Sequence, residues 1–210
     1  MATQKIKNLK SLSIERLNAF SDGVFAIAIT LLVLGITEPE ITKNAHLNEE
    51  LISHLFALSP KILSYIISFT VIGIFWVGHH ILFRYIKKID RNLIWLNIFL
   101  LMLISFIPFP AALLGEYGQT QSAIFIYGAT LLIVGVLFES IWWYAAKNNF
   151  IDEALNREMI KKAGRLILIA PVSYFIALII SFFNPIISLG IYILVPVLYI
   201  IPSPIDDFLN

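Results

Sequence analysis

Polar side chains at the start of the first hydrophobic segment are the residues of this chain best suited to chemistry. Arg16, Ser21 and Asp22 stand directly before or within the approach to the apolar run 23–36. A charged side chain in a membrane helix is unfavourable, so it is kept where it faces protein, water or an ion path. The pattern therefore indicates either an anchoring hydrogen-bond network or a route for ions.

Two histidines near the end of the second hydrophobic segment are the next candidates. His79 and His80 point about 100° apart on a helix, which does not fit the i, i+4 spacing that zinc sites favour. The chain has no cysteine, which removes thiolate ligands and cysteine nucleophiles. Because the first two segments meet at one membrane face, we expect Asp22 to bond His79 or His80. The further candidates for this network are Trp76, Trp95 and Asn97.

Helical spacing separates the polar pair of the first segment from an apolar stripe. Ser21 and Asp22 lie about 120° and 140° around the helix from Ile27. We therefore expect Ser21 and Asp22 to anchor the helix to its neighbours. The stripe is free to face a partner or a pore, or to be ordinary helix packing. Its members at i, i+3, i+4 and i+7 are Ile27, Thr30, Leu31 and Leu34, and it extends back through Gly23, Phe20 and Arg16.

Composition places the chain among membrane proteins. Of its 210 residues, 59% are hydrophobic and 14% are charged, with a mean hydropathy of +0.84. Soluble domains carry about 25% charged residues. The net charge of +1 argues against a nucleic-acid partner, which would require a basic patch. The sequence predicts an all-α polytopic membrane protein.

Six segments are long and apolar enough to be membrane spans. They cover roughly 16–36, 60–83, 92–114, 119–145, 164–183 and 186–202. Six spans put 13 of the 15 lysines and arginines on one side, so the positive-inside rule places both termini in the cytoplasm. The lysines before the first segment also fit a secretory signal, but Ser21 and Asp22 interrupt its apolar run. Residues 1–210 are predicted to form a single six-helix transmembrane domain.

Several functional signatures are absent from the sequence. There is no Thr-Val-Gly-Tyr-Gly filter, no arginine ladder of a voltage sensor and no phosphate-binding Walker loop. Nothing in the chain assigns a nucleophile, a catalytic triad or a zinc-protease motif. We therefore expect the protein not to be an enzyme.

Three motifs together resemble the transmembrane protein 175 family of potassium channels. They are Arg16-x-x-x-Phe20-Ser21-Asp22 with the apolar run that follows, Phe75-Trp-Val-Gly-His-His, and Asn92-Leu-Ile-Trp95-Leu-Asn97. The resemblance implies a homotetramer of six-span subunits with the pore lined by the first helix. It also implies passive conduction of K⁺ and other monovalent cations, no cofactor, no metal beyond permeating K⁺, and membrane lipids as neighbours. The expected location is a prokaryotic plasma membrane, which the protein crosses several times.

The resemblance also assigns roles to residues of the first helix. Ile27 would be the main hydrophobic constriction of the pore, and Thr30 would contribute to cation preference. The remaining pore positions would be Leu31 and Leu34. The motif of Arg16, Phe20, Ser21 and Asp22 would hold this helix against the rest of its subunit.

Two other functions compete with a channel at this stage. A proton-coupled secondary transporter would use Asp22 with His79 or His80 as titrating groups. A membrane scaffold would leave the stripe of the first helix merely packed against a partner, with no ion flux.

Overall fold

All regular structure in the described part of the chain is helical. The computed structural model describes residues 2–37 and 47–200. Within those ranges the extended segments contribute a single isolated antiparallel bridge, between Ile86 and Ile151, and no sheet. The expected all-α class is therefore confirmed for the described residues.

The helices are numbered here in chain order. Helix α1 (Ala2–Leu31) continues into a 3₁₀ turn (Leu32–Gly35), and the short helix α2 (Leu47–Ala57) precedes α3. The others are α3 (Ser59–Tyr85), α4 (Arg91–Phe106), α5 (Pro108–Tyr117), α6 (Gln121–Lys147), α7 (Arg157–Ser181) and α8 (Pro185–Ile200).

Five segments of the described chain are long and apolar enough to cross a membrane. They are Ile14–Gly35, Ser59–Tyr85, Arg91–Tyr117, Gln121–Lys147 and Arg157–Ser181. The sixth expected span is present as a helix, but its apolar part, Pro185–Tyr199, is shorter than these five. The end of that span, as expected from the sequence, lies outside the described residues.

The third expected span is two helices in the structure. Helix α4 ends at Phe106 and α5 begins at Pro108, with Ile107 between them. Pro108 and Pro110 lack the backbone N–H that a continuous helix needs, and a proline ring clashes with the preceding turn. The break is therefore built into the sequence at these two residues.

Helix α6 stands at the centre of the bundle. It packs against α4, α5, α7 and α8, while α1 packs against α3 and α4. The fully buried residues of α6 include Ile124, Leu131 and Ile141. Burying apolar side chains between helices removes voids and maximises dispersion contacts, which hold a bundle together in lipid.

Polar contacts at one end of the bundle join α4, α6 and the loop that follows α6. The Tyr144 hydroxyl donates to Asp90 Oδ2 at 2.6 Å, and Asp90 Oδ1 accepts from the Leu93 amide at 2.8 Å as the cap of α4. Although burial raises the pKa of Asp90, the hydrogen bonds from Tyr144 and from backbone amides outweigh it, and the pKa is lowered. Lys87 forms an ion pair with Asp152 at 3.4 Å. These contacts fix the loops to the ends of the helices.

Candidate functional site

One face of α1 is packed into the subunit. Leu17, Ser21, Phe25, Ala28 and Leu32 are buried, and their spacing of three or four residues keeps them on one side of a helix. This face lies against α3 and α4, where aromatic and aliphatic side chains cover it. This face is therefore the side by which α1 packs into its own subunit.

The opposite face of α1 is uncovered in the single chain. Ile27 is 60% exposed, Leu31 is 41% exposed and Leu34 is 69% exposed, and Thr30 lies among them on the same side. A stripe of apolar side chains would form a constriction that excludes water if several copies of it surrounded one axis. The stripe expected from the helical wheel is therefore the face of α1 that the rest of the chain leaves open.

Thr30 supplies the hydroxyl of this face. Its Oγ1 lies 2.9 Å from the Ile27 carbonyl oxygen and 3.1 Å from that of Ala26, so its proton is donated to the backbone of α1 itself. The acceptor lone pairs of the oxygen are then available on the exposed side. A hydroxyl held this way can coordinate a cation but has no proton left to donate to an anion.

Ser21 begins a buried chain of hydrogen bonds that links α1, α4 and α3. The Asn97 side-chain amide donates to Ser21 Oγ at 3.0 Å, and Ser21 Oγ donates to the Leu17 carbonyl at 2.9 Å. Asn97 Oδ1 lies 2.9 Å from His79 Nε2, and as an acceptor it fixes the ring proton on that nitrogen. Ser21, Asn97 and His79 are all buried. The chain therefore fastens three helices at one depth.

Asp22 forms a second, separate contact between α1 and α3. Its Oδ1 accepts a hydrogen bond from Trp76 Nε1 at 2.9 Å. The expected bond from Asp22 to His79 or His80 is not among the hydrogen bonds of the described residues. His79 is directed towards Asn97 instead, so the indole of Trp76 takes the place that we expected a histidine to occupy.

His80 and Trp95 lie outside the buried hydrogen-bond chain. His80 is exposed and its ring lies 6.3 Å from that of Trp76, centroid to centroid. Trp95 is 47% exposed and its ring lies beside Phe99. Trp95 and Asn97 are two residues apart on α4, about 200° around the helix, so they face different surroundings. Of the five residues expected in the inter-helix network, the structure joins His79 to Asn97 and Trp76 to Asp22.

Arg16 and Phe20 also differ in position from Ser21, although they belong to one sequence motif. Both are exposed in the single chain, and Phe20 is 60% exposed. They lie on the same side of α1 as Ile27 because they precede it along one helical stripe. Among the hydrogen bonds of the described residues, Ser21 and Asp22 are the members of this motif that bond other helices.

Two aromatic residues that sequence reasoning missed enclose His79. The ring of Phe83 stacks on it at 4.4 Å, and that of Phe25 lies tilted at 5.5 Å. Their spacing carried the signal, since Phe83 follows His79 by four residues and Phe25 follows Ser21 by four. Among the residues described, no group of three or more histidines and carboxylates is placed to hold a metal ion.

Comparisons with known proteins give consistent results. Residues 16–108 match the family model described as the endosomal/lysosomal potassium channel TMEM175. Over 194 residues the chain is 34% identical to a protein named as a potassium channel from Chamaesiphon minutus, covering 90% of this chain and 94% of that one. Over 192 residues it is 32% identical to one so named from a Chryseobacterium species, covering 90% and 93%.

A solved structure resembles the whole bundle. The crystal structure of a lysosomal potassium-selective channel TMEM175 homologue from Chamaesiphon minutus superposes with a TM-score of 0.79 at 34% sequence identity. The superposition covers 89% of this chain and 96% of that one. Both the sequence and the arrangement of helices are thus shared over nearly the full length.

Proposed function

Because the chain belongs to the TMEM175 family of potassium channels, we propose that it conducts K⁺ passively across a membrane. The observation that carries the proposal is the division of α1 into two faces. One face is buried against α3 and α4, and the other presents Ile27, Leu31 and Leu34 uncovered. No ion-coupling reaction and no cofactor are required for such a pathway.

The working unit in this proposal is a homotetramer. A single chain offers only one mixed stripe of isoleucine, threonine and leucine, which cannot enclose a water path. Four copies around an axis make a narrow one, with the closed cyclic symmetry that is common among homo-oligomers. Arg16 and Phe20, exposed on the same side of α1, would then contact neighbouring subunits at the axis.

The gate in this proposal is the ring formed by four copies of Ile27. Apolar side chains at a narrow point expel water and so raise the barrier for a hydrated ion. Leu31 and Leu34 would extend the apolar constriction further along α1. Thr30, whose hydroxyl proton is donated to the backbone of its own helix, would offer acceptor oxygens to a dehydrating cation.

The polar residues beside the stripe have a positioning role in this proposal. Ser21 bonds Asn97 and Asp22 bonds Trp76, so α1 is held to α4 and α3 from the side away from the stripe. A proton-coupled transporter using Asp22 with His79 or His80 is not favoured. The relatives are named as channels, and Asp22 is engaged by Trp76.

The membrane orientation follows from the basic residues. Six spans with both termini in the cytoplasm put the loop between α3 and α4, and the loop between α6 and α7, on the cytoplasmic side. Those loops and their flanks carry Arg84, Lys87, Lys147 and Arg157 among others. A multi-pass protein of a prokaryotic plasma membrane fits this arrangement and the two bacterial relatives.

Replacing Ile27 tests the proposal at the gate. We expect Ile27→Asn to increase K⁺ flux from liposomes by about tenfold, since a barrier lowered by about 1.4 kcal/mol gives that factor and asparagine wets the constriction. The measurement is K⁺ efflux from vesicles that contain purified tetramers of each variant.

The matched control for this experiment is Val33→Asn. Val33 is 50% exposed, close to the stripe along the chain but about 120° around the helix from Ile27. It should leave flux near that of the wild type. Unchanged flux in a well-assembled Ile27→Asn tetramer would show that the constriction lies elsewhere.

A further inference from the structure

A large apolar groove runs along the outside of the bundle, away from the exposed stripe of α1. Its volume is about 560 Å³, and α3, α6, α7 and α8 all contribute to its walls. Cavities that hold small molecules in proteins measure about 300–1,000 Å³. Representative lining residues are Gly73 and Ile81 of α3, Phe138 of α6, Ala170 of α7 and Pro196 of α8.

Four of the polar side chains that line the groove already make hydrogen bonds within the protein. Trp76 Nε1 donates to Asp22, Trp142 Nε1 donates to the Ile160 carbonyl, and the Tyr199 hydroxyl donates to the Leu166 carbonyl. Thr70, also in the wall, donates its hydroxyl proton to its own helix at Ile66. A polar ligand would find few free partners here, so the groove suits an unbranched hydrocarbon chain.

The length and depth of the groove match one membrane leaflet. Along α3 it extends from Thr70 to Tyr85, which is about 22 Å at 1.5 Å per residue. Half of a hydrocarbon core measures about 15 Å, so the groove reaches from near the midplane past one interface. In the proposed orientation, Tyr85 and Leu155 mark its cytoplasmic end.

Basic residues continue the walls of the groove beyond that end. Arg84 follows the lining residue Ile81 by three positions, so it lies on the same face of α3. Lys162 precedes the lining residue Leu166 by four positions, so the two lie on the same side of α7. Both side chains are exposed. Cations at the headgroup level attract anionic lipids.

We infer that the groove is a binding site for one anionic phospholipid of the cytoplasmic leaflet. An acyl chain occupies the space between α3 and α7, and the headgroup phosphate lies between Arg84 and Lys162. The inference rests on the orientation given under the proposed function, but it does not depend on ion conduction. It gives the outer surface of the subunit a specific lipid partner.

Native mass spectrometry of the detergent-purified protein tests the site. The probes are phosphatidylglycerol and phosphatidylcholine with identical acyl chains. We expect the wild type to retain phosphatidylglycerol in preference to phosphatidylcholine. Gly73→Leu should retain about tenfold less of both lipids, the loss expected if leucine displaces two methylene groups of the chain.

Two further variants make the result specific. Gly190→Leu is the matched control, because an added Cβ at Gly73 and at Gly190 alike meets no atom within 4 Å, and Gly190 lies outside the groove. It should behave as the wild type. The double variant Arg84→Gln/Lys162→Gln should lose the preference for phosphatidylglycerol while its retention of phosphatidylcholine is unchanged.

Other occupants of the groove would give different results. If the wild type retains neither lipid, or if Gly73→Leu retains as much as the wild type, the inference is overturned. If the wild type retains no lipid but a variant without residues 201–210 does, the groove would be assigned to that segment. Loss of tetramers in Gly73→Leu, with no lipid on the wild type, would assign it to a neighbouring subunit.

Ion conduction is measured on the same preparations, so the two proposals fail separately. K⁺ efflux from protein that retains no lipid would overturn the lipid site alone. Lipid retention by a folded tetramer that conducts no K⁺ would overturn the channel alone.

Discussion

Thr30 is the one hydroxyl on the exposed face of α1 between residues 14 and 35. Its neighbours on that face, Ile27, Leu31 and Leu34, offer no ligand for an ion that has lost part of its hydration shell. The internal hydrogen bond to the Ile27 carbonyl orients the hydroxyl so that oxygen lone pairs are presented outward. Preference among cations should therefore depend on this side chain more than on any other of the stripe.

Thr30→Val keeps the shape of the side chain and removes the oxygen. We expect the permeability ratio of K⁺ over Na⁺ to fall by about fivefold, the factor that corresponds to a lost interaction of about 1 kcal/mol. Reversal potentials in mixed K⁺ and Na⁺ solutions give this ratio. Thr70→Val, which removes a similarly self-bonded hydroxyl from α3, should leave the ratio unaltered. An unaffected ratio in Thr30→Val would remove Thr30 from the selective region.

Asn97 is the central member of the buried hydrogen-bond chain, since it contacts both Ser21 and His79. Asn97→Ala should lower the free energy of unfolding by about 1–2 kcal/mol. An interhelical hydrogen bond in a membrane contributes less than this range, and burying a polar group without a hydrogen-bond partner costs more. The thermal midpoint of the purified protein should fall, with cation selectivity unchanged.

Ser105→Ala is the control for that experiment, because Ser105 lies on the same helix and donates its hydroxyl proton to the Met102 carbonyl of that helix. Its thermal midpoint should stay near that of the wild type. A stable Asn97→Ala tetramer with altered selectivity would contradict a purely positioning role for this chain of bonds.

Helical periodicity was sufficient to assign the sides of α1, but not the partners of its polar residues. The wheel correctly separated Ser21 from Ile27, because direction around a helix follows from residue number alone. The partner of Asp22 depends on the rotation and depth of α3, which periodicity does not fix. Trp76 and His80 lie four residues apart on one face of α3 and so differ mainly in depth, and it is Trp76 that lies level with Asp22 and bonds it.

Contact between α6 and α8 depends on a small residue at one point. A Cβ added to Gly128 would overlap the hydroxyl of Tyr192, which is fully buried. Gly128→Ala should therefore lower the free energy of unfolding by about 1–3 kcal/mol, as overpacking of a close-packed interior does. The readout is the thermal midpoint of the detergent-solubilised protein.

Gly190→Ala on α8 is the comparison for this interface. No atom lies within 4 Å of the added Cβ at Gly190, so the substitution causes no steric overlap. Alanine is more stable than glycine inside a helix by about 0.5–1 kcal/mol, so the free energy of unfolding should rise. The two alanine substitutions should thus shift the midpoint in opposite directions. Equal shifts would mean that α8 does not pack on α6 at Gly128.

Most of the helical elements could be predicted from hydropathy, because a membrane requires long apolar runs. Hydropathy alone did not predict the break at Ile107, since both halves of that segment are apolar and only the prolines end the helix. The short last span, by contrast, was predicted, because 186–202 is the shortest of the six apolar segments and α8 is likewise shorter than the other spans within the described residues. The length of an apolar segment indicates whether it can cross the membrane, but it does not indicate the residues at which a helix begins and ends.

At the scale of the whole molecule, the absence of cysteine from the sequence allows the proposed topology to be tested with single cysteines. Gln119 lies between α5 and α6, and Glu153 lies between α6 and α7. Both residues are exposed, so each can be replaced by cysteine as a labelling site. An impermeant maleimide should label Gln119→Cys on intact cells and Glu153→Cys only after permeabilisation, because basic loops stay in the cytoplasm. Labelling in the reverse pattern would invert the orientation.

In the proposed tetramer, neighbouring subunits would cover the surface of α1 that the single chain leaves exposed. The chain has a packed interior around α6, yet the apolar stripe of α1 remains uncovered. A stripe on the outside of the bundle would be covered by lipid, whereas a stripe on the axis of a tetramer would line a pore. Ion conduction separates these two arrangements, because lipid-facing stripes pass no ions.

The most direct test of the account is a bi-ionic reversal potential, with K⁺ on one side of a planar bilayer and Na⁺ on the other. The sample is purified protein shown to be folded and tetrameric. We expect discrete currents whose reversal potential is displaced towards the K⁺ equilibrium potential. Silence from such tetramers, or slow saturable transport coupled to protons, would contradict a passive potassium channel.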